Sequence, residues 1–169
     1  MIIHASLKTD HFEELKQRLL ELQRQRVSVG VFDNSKHYSG FTYVNLFTYL
    51  SRGDRANNLV PRDTLLIAFE FNPFPKQRIR KKLVTYFKGI NSKKGRRQAE
   101  VVMKDVGKYY RDKAADVFGK SPPLAANTPW TETYKENLGF DPTKPLMMTG
   151  DLRKKIAFKI ENNVWEYGR

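Results

Sequence analysis

Apolar positions recur at helical spacing through residues 10–26. Phe12, Leu15, Leu19 and Leu22 fall on one face, and Lys16, Arg18, Gln23 and Arg24 lie mostly off it. Asp10, with Glu13 three residues on, has the form of a capping-box start. The stripe lasts barely two heptads and reads as an ordinary core face. The period then drops to two, because Val27, Val29 and Val31 alternate as a half-buried strand over 27–32. Asp33-Asn34-Ser35 supplies turn chemistry, and a loop follows to Gly40. Val44, Phe47 and Leu50 return at three-residue spacing, and Gly53 can take the left-handed residue that ends a helix. A helix over 41–50 is therefore preferred to a strand. Val60-Pro61-Arg62 reads as an extended turn. Thr64 to Phe71 is nearly continuously apolar and fits a buried strand and a helix equally well.

Pro73 and Pro75 break the chain. From Lys76 to Phe87 helical spacing resumes with Ile79, Leu83 and Tyr86 or Phe87, and a basic loop spans 89–95. Residues 97–118 carry the strongest helical pattern, with Ala99, Val102, Met103, Val106, Tyr110, Val117 and Phe118 on one face and Gly119 as its stop. The 121–149 stretch has five prolines and little periodicity. It predicts a long loop held by Trp130, Tyr134, Leu138 and Phe140. Ile156, Phe158 and Ile160 then alternate as a strand. The pattern predicts one α+β domain over 1–169, an antiparallel sheet packed against two main helices with a long proline-rich loop. Its parts are an N-terminal helix (10–26), a strand and helix region (27–71), a basic helical segment (72–120), the loop (121–150) and a C-terminal strand region (151–169).

Charge changes this picture more than composition does. The 169 residues carry a formal +13. Residues 72–120 hold fifteen basic and four acidic side chains, a local +11, and Pro73 to Arg97 holds ten basic residues and no acid. Lys76, Arg78, Arg80, Lys81, Lys82, Lys93, Lys94, Arg96 and Arg97 form a candidate DNA-facing or partner-facing patch. A solvated helix face or a surface that docks on an acidic protein explains the same block. Few aromatics accompany it, so no stacking platform for single strands is evident.

Candidate chemistry is sparse. There is no cysteine, which removes disulfides, thiol nucleophiles and Cys-based metal sites. The three histidines lie in the first 37 residues, and no G-x-S-x-G or phosphate-cradling Gly-rich loop occurs. Glu14-x-Lys16 alone has the carboxylate-lysine spacing of a Mg²⁺ nuclease, and it sits on the first helix. No catalytic residue, cofactor or metal is expected. The longest uncharged stretch, residues 37–51, is too short and too polar to span a bilayer, and no signal peptide pattern is present. A soluble protein of a reducing compartment, without a membrane partner, is expected.

Three stretches together resemble a known family. They are Val27-Ser28-Val29-Gly30-Val31-Phe32, then Tyr43 to Gly53 followed by Val60-Pro61-Arg62, and finally Pro123-Leu124-Ala125-Ala126-Asn127-Thr128 with Lys144-Pro145-Leu146-Met147-Met148-Thr149-Gly150-Asp151-Leu152 leading into Ile156. In order and approximate spacing these resemble the tail completion and virion morphogenesis proteins of tailed bacteriophages, over roughly residues 27–160. The chain differs from that pattern in lacking a second proline and a phenylalanine after Pro61, and in carrying Lys155 before Ile156. The resemblance implies a structural virion protein at the neck or head-to-tail joint, made in the host cytoplasm. It implies a homo-oligomeric ring in contact with portal, connector or tail proteins and bordering packaged DNA. In that setting Trp130, Tyr134 and Phe140 are candidate subunit-interface residues. The alternative is a nucleic-acid-binding module that uses the 76–97 block.

Overall fold

The computed structural model describes residues 9–88 and 95–162. Among them are seven helices and one two-stranded antiparallel sheet, an α+β fold in which helix predominates. The elements in chain order are α1 (Thr9–Arg24), β1 (Gln25–Val31), α2 (Tyr43–Arg52), α3 (Thr64–Phe71), α4 (Lys76–Lys88), α5 (Gly95–Val117), α6 (Pro129–Asn137), α7 (Asp151–Lys154) and β2 (Ile156–Asn162). The chain divides into two compact units. One comprises Met1–Ser28, Phe74–Gly107 and Lys159–Arg169, and the other Val29–Pro73 and Lys108–Phe158.

In the first unit α1 docks through polar groups rather than through its leucine stripe. Arg18 is buried, and its Nη1 donates to the Tyr86 carbonyl at 2.9 Å. The Tyr86 hydroxyl donates back to the Arg18 carbonyl at 3.1 Å, and the guanidinium lies 5.3 Å from the centre of the Tyr86 ring. Tyr86, Ala99 and Val102 supply the buried apolar surface. Phe12, Leu15 and Leu19 stand exposed, so the expected core face of α1 is not core. Its start at Thr9 also places Asp10 inside the first turn rather than at the cap.

The second unit has the larger core. Val31, Phe47, Ala68, Ala114, Phe118, Leu152 and Ile156 are buried together. Caps explain why its short helices form. The Thr42 hydroxyl accepts from the Asn45 amide at 3.2 Å to open α2. Gly53 ends α2 at φ +70°, where a Cβ would lie 2.5 Å from the Leu59 carbonyl oxygen. The undecided Thr64–Phe71 stretch is helical because Asp63 Oδ1 accepts from the amides of Leu65 and Leu66, both at 3.0 Å. Only Thr64 and Ala68 of α3 are buried.

The 121–149 segment is not the continuous loop that its prolines suggest. It contains α6, started by Thr128 as N-cap and by Pro129 at the first helical position, where proline's missing N–H costs nothing. Trp130, Tyr134 and Leu138 do not hold this segment from inside, since all three are exposed. Leu124, Lys135 and Pro145 are its buried residues. Gly150, at φ +78°, takes the left-handed conformation that glycine alone adopts freely and turns the chain into α7 and on to β2. Lys155, the departure from the family pattern, donates to Asp33 just beyond β1 and holds that carboxyl well below the usual range.

Candidate functional site

Two places carry the sequence-predicted residues: the basic helix α4 in the first unit and a cleft in the second. On α4 two of the five candidate cations are paired with a carboxylate. Arg78 donates through Nε and Nη2 to Asp105, and Lys82 reaches the same carboxylate at 3.2 Å. The hydrogen bond from Arg78, helped by Lys82, pulls the Asp105 carboxyl below its ordinary pKa. Lys76, Arg80 and Lys81 remain exposed. Arg96 and Arg97 lie in the first turn of α5, and Lys93 and Lys94 fall outside the described residues. Of the candidate basic residues whose side chains are described, Lys76, Arg80 and Lys81 are exposed and without an ion pair among the described residues, and Arg78 and Lys82 share Asp105.

The cleft, of about 300 Å³, is walled by Leu46, Leu50, Leu59, Leu146, Met147 and Met148. Its distinctive feature is a pair of buried cations among the lining side chains. Arg62, 7% exposed, donates from Nε to the Ala125 carbonyl at 3.0 Å and from Nη2 to the Ala126 carbonyl at 2.7 Å. Lys135, 3% exposed, donates from Nζ to the carbonyls of Lys144 and Met147. Neither has a carboxylate in hydrogen-bond contact among the described residues. Burial lowers the pKa of both, and the guanidinium adds to the effect on the lysine while Asp141 opposes it. Asn127 ties the same region by donating to the Pro142 carbonyl at 2.6 Å, and the Gly119 amide donates to the Pro145 carbonyl at 3.0 Å. The Val60-Pro61-Arg62, Asn127-Thr128 and Lys144-to-Leu152 stretches thus meet at one cleft, although up to 92 positions separate them.

Aromatic side chains edge this cleft. Tyr38 lines it while largely exposed, and its hydroxyl donates to the Met148 sulfur at 3.5 Å. Partial burial, with Tyr134 and Asp151 nearby, raises the Tyr38 phenol above its usual pKa. On α6, Trp130 is 74% exposed and stacks nearly parallel to Tyr134, with ring centres 5.5 Å apart. Phe140 is half-buried behind the helix, its amide donating to the Lys135 carbonyl at 2.9 Å. Of the three candidate interface aromatics, two are presented to solvent and one is partly withdrawn.

The same cleft holds Ser39 and His37, with the serine hydroxyl 2.8 Å from Nδ1. That spacing suits a nucleophile and its base, but a triad also needs a carboxylate bonded to the imidazole. The lining carboxylate, Asp151, sits 3.4 Å from the Lys154 ammonium instead. Among the described residues no three His, Asp or Glu side chains are grouped to hold a metal, and no helix is long and apolar enough to cross a membrane. Sequence reasoning named Arg62 only as part of a turn and missed Lys135. A lysine in a proline-rich polar stretch gives no outward sign of burial. No family model matches the chain, and neither a curated protein nor a solved structure matches it.

Proposed function

We propose that this protein is a structural component of a tailed-phage particle, one subunit of a ring at the neck or tail-completion position. The observation that carries this reading is the convergence of two of the three resemblance-bearing stretches, Tyr43 to Arg62 and Pro123 to Leu152, on one cleft. There the polar side chains Arg62, Asn127 and Lys135 bind the chain's own carbonyls. Such groups rigidify a surface rather than transform a substrate. The stacked, exposed Trp130 and Tyr134 beside it have the composition of interface anchors. The work of the protein is then geometric: to close and join, with the basic face of α4 turned to DNA or to an acidic partner. Electron microscopy of the purified chain, alone and mixed with candidate portal complexes, tests this. The expected result is a ring of fixed diameter, and single subunits in both samples would overturn it.

A second reading, a nucleic-acid-binding module, is favoured by the exposed Lys76, Arg80 and Lys81 on α4. A duplex-DNA titration at rising salt separates the two. Phosphate contacts give an affinity that falls steeply with salt, and no binding at low salt removes the second reading.

A further inference from the structure

α3 poses a problem that the isolated chain does not solve. Its sequence, Thr-Leu-Leu-Ile-Ala-Phe-Glu-Phe, is apolar on nearly every side, the pattern of a helix surrounded by protein. Yet Leu66 is 53% exposed, Phe69 46% and Phe71 71%, with the exposed Glu70 between the two phenylalanines. Phe69 has one ring neighbour, Tyr110, at 4.3 Å. Leu66 and Phe69 share the side of α3 that carries Glu70, and Phe71 projects from the end of the helix on the opposite side. Exposed apolar groups gathered in this way mark a surface that something covers.

The cleft has the complementary deficit. Arg62 Nη1 and one proton of the Lys135 ammonium have no partner among the described residues, and no carboxylate bonds either cation. Asp151, the acid in the lining, is already beside Lys154, and Asp141 is beside Lys144 at 3.0 Å. Apolar walls around cations that no carboxylate hydrogen-bonds suit a carboxylate carried between apolar side chains. Tyr38 lines the cleft while largely exposed, and on α6 the exposed Trp130 and Tyr134 neighbour the lining residues Thr131 and Lys135 in sequence. No residue of α3 lines the cleft.

We propose that the end of α3 in one copy of this chain docks into the cleft of the next, with Glu70 facing Arg62 and Lys135. Two different surfaces then meet in each contact. Such a heterologous contact propagates from copy to copy and closes into a ring when the rotation allows. This inference rests on the ring reading and names the two faces that build it.

Complementary disruption tests it. Phe71→Asp, with Glu70→Lys as a second variant, disables the α3 face and leaves the cleft intact. Met148→Glu places an acid in the cleft wall and leaves α3 intact. All three sites are exposed or half-buried, and circular dichroism with thermal melting verifies that each variant folds. In sedimentation velocity each variant alone is expected to be monomeric. A mixture of Phe71→Asp and Met148→Glu is expected to give a one-to-one pair that grows no further, since one intact α3 and one intact cleft remain. Glu70→Gln is expected to weaken assembly about tenfold, the loss of one charge-assisted contact. A wild-type ring that survives Phe71→Asp, or variants that fail to pair when mixed, overturns the proposed contact and leaves the ring reading standing. A wild-type chain that stays monomeric both alone and with portal complexes overturns both.

Discussion

The basic side chains of α4 and those of the cleft satisfy their charge in opposite ways. Arg78 and Lys82 meet a carboxylate, Asp105, near the surface. Arg62 and Lys135 meet only main-chain carbonyls, and they do so buried. A partly solvated ion pair contributes little to stability, because water solvates either member once the other is gone. A buried cation that organises carbonyls is different. Removing it takes from two main-chain carbonyls their side-chain donor, while keeping it leaves a buried positive charge with no carboxylate bonded to it. The first arrangement is replaceable. The second ties the segment between α5 and α7 to itself and to the turn that carries Arg62.

The largest test of that contrast is Lys135→Ala. It strands the carbonyls of Lys144 and Met147 and opens a void under α6, so the loss is about 3 kcal/mol. Urea denaturation checks it, with the midpoint falling and the slope unchanged. Arg62→Lys keeps the charge but not the two-pronged reach to Ala125 and Ala126. Its expected cost is about 2 kcal/mol by the same measurement.

Asp105→Asn is expected to cost under about 1 kcal/mol at neutral pH. Its carboxyl pKa is depressed in the folded chain by Arg78 and Lys82. The contribution is therefore complete above the unfolded pKa of about 4 and disappears as pH falls through the lower folded value. Wild type and variant should differ at neutral pH and converge in acid. A gap that persists there would contradict the ion-pair account. The smallest effect belongs to Trp130→Ala, with stability within about 0.5 kcal/mol of wild type because the ring is on the surface. A larger loss would place Trp130 in the fold rather than at an interface.

Most elements were legible in the sequence where local chemistry decides the outcome. The alternating valines of β1, Gly53 and Gly119 as helix stops, and Gly150 as a left-handed turn all act through neighbouring residues. α6 was not legible, because proline reads first as a breaker and its role at the first helical position depends on Thr128 before it. The α1 stripe misled for another reason. Periodicity tells which residues share a face and not what that face meets, and here the buried contact runs through Arg18 and Tyr86. The cleft was the least legible feature, since Arg62 and Lys135 become partners of distant carbonyls only once residues 125, 126, 144 and 147 have folded back on them.

The central claim is that the molecule works by assembling with copies of itself. Sedimentation velocity of the wild-type chain over a range of concentrations tests it most directly. The account predicts one discrete closed oligomer that dissociates to monomers in Phe71→Asp without a change in melting temperature. A wild-type chain that remains monomeric at every concentration, with and without portal complexes, would contradict it.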